Sequence, residues 1–167
     1  VSLLGTVDLG PLSISGFGGY TFINPTYRNF ENNDSLQYSL SASTNVLKYR
    51  SKHNGKIDIQ TDYKNFSFGV SYNKSSHVIN VDAVFEGRGF EFAQFPDILG
   101  VKAYRDQNNN GWDRWDVRIS YKYQGLKFSF LVANLANREY TVRPALLEAP
   151  RNFTFRLDYE IDWKKTS

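Results

Sequence analysis

The sequence contains no cysteine and only two histidines, His53 and His77. Without cysteine, the chain forms no disulfide and no cysteine-ligated metal site. It also has no run of about 20 apolar residues, so no segment can cross a membrane as a helix. The formal net charge of +3 is spread along the chain without a run of Lys or Arg, and we therefore predict no nucleic-acid-binding face.

Aromatic residues, in contrast, are abundant: the 167 residues include 13 Phe, 11 Tyr and 3 Trp. Near the end of the chain the stretch FTFRLDYEIDW, residues 153–163, alternates strictly between apolar and polar side chains. This period of two predicts a β-strand with one apolar and one polar face. In a soluble sheet the apolar face packs on a core, whereas in a membrane barrel it contacts lipid and the polar face lines the inside.

The same alternation and the turn signals predict seven strands. They are residues 1–9, 12–23, 56–63, 66–73, 112–123, 126–133 and 153–163. The second strand carries Gly16, Gly18 and Gly19 at its centre, where we expect it to bend.

The connections alternate between short and long. Residues 10–11, 64–65 and 124–125 form tight turns, whereas residues 24–55, 74–111 and 134–150 form long loops. Repeated loops of this length are uncommon in compact soluble domains but typical of outer-membrane barrels, which have short periplasmic turns and long extracellular loops. Most of the strands have the length that crosses a bilayer when tilted. We therefore predict an all-β transmembrane antiparallel barrel, with a soluble β-sandwich or lipocalin-like barrel as the alternative.

The number of strands bears on domain organisation. Bacterial single-chain barrels have an even number of strands, and an open sheet edge is not tolerated in lipid. Seven strands therefore predict that residues 1–163 form the carboxyl-terminal portion of a larger barrel, followed by a polar tail at residues 164–167, with Val1 not the natural start. The alternative is a complete eight-stranded barrel with one further strand.

Two stretches resemble a known family. NLANREY, with Asn134, Leu135, Asn137 and Tyr140, followed by Pro150-Arg151 and the final alternating strand, resembles the carboxyl end of the TonB-dependent outer-membrane receptors. LKYRSKHNGKIDIQTDY, residues 47–63, is similar to the family's entry into a descending strand. The chain departs from the family pattern at its end, where a polar tail follows Trp163 in place of a terminal aromatic residue.

The resemblance implies a 22-stranded barrel of which this chain supplies the last seven strands, with the plug domain and the earlier strands lying outside it. It implies active uptake of a siderophore, metal complex, vitamin or glycan across the outer membrane of a Gram-negative bacterium. The implied partners are the rest of the receptor, TonB–ExbB–ExbD, the lipid bilayer and, as in glycan-importing relatives, a surface lipoprotein. The alternatives are a passive outer-membrane pore, a small structural barrel and a soluble β-rich binding module.

Two sets of side chains are candidates for function. Charged residues on the polar faces are predicted to face the lumen, where salt bridges along the wall are the favoured role over ion selectivity. They are Asp58, Asp62, Asp116, Arg118, Lys122, Arg156, Asp158 and Glu160. Aromatic and basic residues in the first two long loops are candidates for ligand contact. They are Tyr27, Arg28, Phe30, Tyr38, Phe90, Phe92 and Phe95.

The stretch DQNNNGWD, residues 106–113, matches the first half of a calcium loop. The candidate ligands are Asp106, Asn108, Asn110 and Asp113, but Val117 stands where a bidentate Glu is required. A polar surface loop is the favoured interpretation, and no other cofactor is predicted. The two histidines lie in separate loops beside ordinary polar serines, so we predict no catalytic site.

Overall fold

The computed structural model of the protein describes residues 1–28, 45–82, 85, 100–143 and 146–160. The elements in these ranges are β1 (Ser2–Leu9), β2 (Leu12–Phe22), β3 (His53–Tyr63), β4 (Phe66–Ser75), α1 (Val101–Gln107), β5 (Trp112–Tyr123), β6 (Leu126–Ala133), β7 (Thr141–Arg143), β8 (Leu146–Leu147) and β9 (Asn152–Tyr159). The fold is all-β with one short helix. No helix among the described residues is long and apolar enough to cross a membrane.

Seven strands form one antiparallel sheet in the order β1-β2-β3-β4-β5-β6-β9, so each strand pairs with its neighbour in the chain, apart from the small β7–β8 hairpin. Period-two alternation therefore located the seven strands of this sheet correctly, and β5 and β6 have the predicted bounds. β3 begins three residues earlier than predicted and β4 ends two residues later, because the two strands pair with each other through Asn54–Ser75. β2 pairs with β1 on one side and with β3 on the other, and neither register shifts at Gly16.

The three tight turns lie together at one end of the sheet. Gly10, at φ 63°, begins a two-residue turn before Pro11, and Gln124 and Gly125 both have positive φ, as hairpin turns require. Backbone hydrogen bonds join neighbouring hairpins at this end, including Lys122 N to the carbonyl of Asn65 at 2.8 Å. The long connections consequently all leave from the opposite end, which we call the loop end.

The sheet has one continuous apolar face. The registers align Val70 with Ile59 on one side and Val117 on the other, and the same alignment repeats across the other strands. Large apolar side chains on this face remain exposed: Leu3 is 77% exposed, Ile57 50% and Phe155 66%. No layer of described residues covers them.

Burial is concentrated at the loop end instead. The buried apolar residues in the described ranges are Val81, Val101 and Tyr140, and all three lie outside the seven-stranded sheet. Asn80 and Asn134 are buried among the loops as well. The connections are therefore packed against one another, whereas the apolar face of the sheet is left open.

Two elements were not expected from the sequence. The helix α1 occupies part of the predicted long loop 74–111, and the β7–β8 hairpin lies in loop 134–150. Gly100 precedes α1 at φ 65° without a side-chain cap, so the usual sequence signal for a helix start is missing. The predicted end of the last strand, including Trp163, and the polar tail 164–167 lie outside the described residues.

Candidate functional site

The charged residues predicted to face the lumen share the polar face of the sheet. Six of them form ion pairs with one another: Asp58 with Arg118 at 2.7 Å, Lys122 with Glu160 at 2.9 Å, and Arg156 with Asp158 at 2.7 Å. Asp116 pairs instead with Arg114 at 3.0 Å, and Asp62 accepts hydrogen bonds from Gln60. The structure thus brings the predicted charges together as local pairs along the polar face of the sheet.

Arg118 is the centre of the most extensive of these contacts. Its guanidinium donates to both carboxylate oxygens of Asp58, at 2.7 and 3.0 Å, to the hydroxyl of Ser71 at 3.0 Å and to Gln60 at 3.2 Å. Ser71 in turn donates its hydroxyl hydrogen to Asp58. Arg118 belongs to β5 and Asp58 to β3, so the Arg118 side chain crosses β4 to reach Asp58.

The crossing point is Gly69, which pairs with Arg118 in the register. A Cβ at this position would lie 2.4 Å from Nε of Arg118 and 2.6 Å from its Cζ. Such distances are too short for non-bonded atoms. The glycine therefore provides the space in which the arginine lies flat across β4, and the contact ties three strands together.

The NLANREY stretch ends β6 and folds the loop that follows. Asn134 is 1% exposed at φ 52°, and its amide donates to the carbonyls of Arg138 and Ala149, while its side-chain oxygen accepts from Arg138 N at 3.0 Å. Asn137, at φ 50°, accepts a hydrogen bond from Arg151 N at 2.8 Å. Asparagine tolerates this backbone conformation and bonds to nearby main chain. The stretch thus acts as a turn that holds both ends of the loop.

Tyr140, the last residue of that stretch, is buried beneath the loop. Its ring packs against Trp112 at a centroid distance of 4.8 Å, and its hydroxyl accepts a hydrogen bond from Arg114 at 3.2 Å. Glu148 N donates to the Tyr140 carbonyl at 3.0 Å. Tyr140 therefore anchors the loop to the start of β5.

The loop that follows β6, anchored in this way, forms one wall of a cavity of about 280 Å³ at the loop end. The other walls come from α1 and from the chain that follows β4. Gly111, at φ 74°, lies so close to the preceding chain that a Cβ there would be 2.0 Å from the Ser75 carbonyl oxygen. We call this space the rim cavity; it is a concave, partly apolar site with polar groups of the kind that ligand sites use.

Charged groups converge on the rim cavity. Arg105, Arg138 and Arg143 line it, together with the carboxylates Asp113 and Glu139. Asp113, with its side chain only 12% exposed, accepts from Arg138 at 2.5 Å and lies 3.9 Å from the ammonium of Lys74. Arg105 donates to the Val78 carbonyl at 3.0 Å.

Tyr104 adds an aromatic wall to the rim cavity from α1. Its hydroxyl donates to the Glu139 carbonyl at 3.4 Å. Burial, and then the negative charge of Glu139, raise the pKa of Tyr104 above its ordinary value. The phenol therefore stays a neutral hydrogen-bond donor at physiological pH.

The candidate calcium ligands are separated by their secondary structure. Asp106 lies in the last turn of α1 and pairs with Lys102 at 2.6 Å, whereas Asp113 lies in β5. Asn108 is the C-cap of the helix and donates to the Tyr104 carbonyl, and Asn110 is exposed in the following turn. In the part of the chain that the structure describes, no group of three or more acidic or His side chains is placed to hold a metal ion.

Of the predicted ligand-contact residues, only two are described. Tyr27 and Arg28 follow β2, and Tyr27 N donates to the side chain of Asn45 at 3.1 Å. The other candidates lie outside the described residues. They are Phe30, Tyr38, Phe90, Phe92 and Phe95.

A second loop cluster was not anticipated from the sequence. Tyr49 donates its hydroxyl hydrogen to Asp82, which also pairs with Lys48 at 3.0 Å. Burial and then the bond to Asp82 raise the pKa of Tyr49 above its ordinary value. Tyr49 N also donates to the Asn80 carbonyl at 2.9 Å, so this cluster ties the end of one long loop to the start of the next. The sequence gives no local signal for this cluster, because more than 30 residues separate the side chains that interact.

Comparison with protein-family models and with curated proteins gives no match to this chain.

Proposed function

We propose that this chain forms part of the wall of an outer-membrane β-barrel, the carboxyl-terminal part of a TonB-dependent receptor that takes up a scarce nutrient. The observation that carries the proposal is the continuous, exposed apolar face of the seven-stranded sheet. Soluble monomers rarely expose apolar patches of this extent, whereas a barrel in lipid requires one.

The polar face supports the same assignment. It carries ion pairs that reach across an intervening strand: Arg118 of β5 pairs with Asp58 of β3, and Lys122 of β5 pairs with Glu160, which follows β9. A barrel interior is polar and hydrated, and charges there are tolerated when they are paired. In this assignment the apolar face contacts lipid and the polar face lines the lumen.

The open edges of the sheet favour a larger barrel. Among the described residues, β1 pairs only with β2, and β9 pairs only with β6. An unpaired edge is not tolerated in lipid. Further strands of the same receptor would pair with both edges and close the barrel.

Transport follows from the resemblance of the NLANREY stretch to the TonB-dependent receptors. The loop end, with the rim cavity, would face outward and capture the ligand, since long loops are extracellular in such barrels. A plug domain elsewhere in the receptor would then be rearranged by TonB–ExbB–ExbD, and the ligand would pass through the lumen. This chain would contribute wall and ligand-contacting loops.

A pair of adjacent substitutions tests the membrane assignment. Phe155 lies on the apolar face and Thr154 on the polar face of the same strand. Lysine on a lipid-facing position near the bilayer centre costs about 2–4 kcal/mol. Phe155→Lys should therefore lower the amount of heat-modifiable protein in the outer membrane, and Thr154→Lys should leave it nearly unchanged. If the two variants assemble equally well, or the intact protein stays in aqueous solution without detergent, the assignment fails.

Uptake needs a separate test. The intact receptor should support growth on its nutrient only in cells that contain TonB. Growth that persists after removal of TonB would indicate a passive pore in place of an active receptor.

A further inference from the structure

The rim cavity carries more positive than negative charge. Three arginines line it against two carboxylates. Asp113 is paired with Arg138, so these two charges offset each other and leave Arg105 and Arg143 against Glu139. The field inside the cavity therefore favours an anion over a cation.

The arginines belong to different elements. Arg105 is on α1, where its guanidinium bonds to the carbonyls of Val78 and Ile79. Arg143 ends β7, on the loop that Asn134 and Tyr140 anchor, and its side chain is exposed. A planar guanidinium presents several donors that match carboxylate and phosphate oxygens. An anion in the cavity would thus be held between the helix and the anchored loop.

Aromatic side chains limit the ligand further. Tyr104, Trp112 and Tyr140 contribute rings to the lining. The volume of about 280 Å³ is at the low end of small-molecule sites. A compact organic anion uses both the cationic and the aromatic parts of the wall.

We infer that the rim cavity binds a compact organic anion, carrying a carboxylate or phosphate group, with Arg143 as the principal donor. This inference rests on the proposed function, since it names the class of ligand that the loop end captures. It does not require that the ligand be a metal complex.

Trp112 makes the binding measurable, because it lines the cavity and its fluorescence should change when the site is filled. The intact protein in detergent is titrated with benzoate, with inorganic phosphate and with benzamide, a neutral molecule of nearly the same shape as benzoate. We expect saturable binding of benzoate, and binding of benzamide weaker by about tenfold or more, which is the size of one charge-assisted hydrogen bond. Trp112→Phe should remove the fluorescence change, which would identify Trp112 as its source.

Arg143→Gln should weaken benzoate binding by about tenfold or more. Lys102→Gln is the matched control, since it removes a cation from the exposed surface of α1, outside the cavity lining. The inference is overturned if neither anion binds saturably, if benzamide binds as tightly as benzoate, or if Arg143→Gln has no more effect than the control. These outcomes leave the Phe155→Lys and Thr154→Lys comparison unaffected, so failure of the anion site and failure of the membrane assignment can be told apart.

Discussion

Replacement of Gly69 by alanine should break the contact between β3 and β5 although it removes no polar group. The new methyl carbon would lie 2.4 Å from Nε of Arg118, so the arginine must leave its path across β4. It would lose its bonds to Asp58, Ser71 and Gln60. Hydrogen bonds to charged groups contribute about 1.5–3 kcal/mol each when buried.

The side chains of Arg118 and Asp58 are 36% and 26% exposed, so water replaces part of what is lost. We expect Gly69→Ala to lower the free energy of unfolding by about 1–3 kcal/mol in total. Urea unfolding of the intact protein in detergent micelles, followed by tryptophan fluorescence, measures this quantity.

A double-mutant cycle separates the lost contact from a general effect of alanine. In an Arg118→Ala background there is no guanidinium to displace, so Gly69→Ala should cost little. Gly55→Ala is the matched control, because a Cβ there meets no atom within 4 Å. Equal costs of Gly69→Ala in both backgrounds, or a cost no greater than that of Gly55→Ala, would refute the reasoning.

Three further predictions concern the loops. Asn134→Ala should lower the free energy of unfolding by about 2–3 kcal/mol, because hydrogen bonds are lost and alanine is strained at the positive φ of this position. It should also speed amide hydrogen exchange in residues 135–149 more than in β6. Tyr140→Ala should shift the emission of Trp112, whereas Tyr140→Phe, which keeps the ring contact, should leave it nearly unchanged. Tyr49→Phe should remove a stabilising hydrogen bond to Asp82. Because folding raises the pKa of Tyr49, the stability that this bond contributes is complete below about pH 10 and is lost at higher pH. Urea unfolding of both proteins at several pH values measures the difference.

The sheet was predictable because its signal is local. Alternation along a strand is visible in the sequence, and the tight turns Gly10-Pro11 and Gln124-Gly125 mark the strand ends. The predicted charges also share one face, since the period of two fixes the face of every residue in a strand. The pairing of Asp58 with Arg118 follows only once three strands are in register.

The loop end was much less predictable. Tyr49 meets Asp82, and Tyr104 meets the Glu139 carbonyl, across more than 30 residues with no repeating pattern. α1 has only seven residues and no side-chain cap, and the sequence therefore predicted it only as part of the long loop 74–111. The rim cavity arises where these unpatterned segments meet, and its lining therefore could not be derived from the sequence.

The chain-neighbour order of the sheet has a consequence for how such a protein can change in evolution. In the seven-stranded sheet, the register of each strand is set by backbone pairing with the strands directly beside it. A hairpin could be gained or lost at either side without disturbing any existing pair of strands, and a loop could lengthen without moving the sheet. The width of the sheet and the chemistry of its loops are thus free to vary separately, whereas a contact such as that of Arg118 with Asp58 restricts variation within the three strands that it connects.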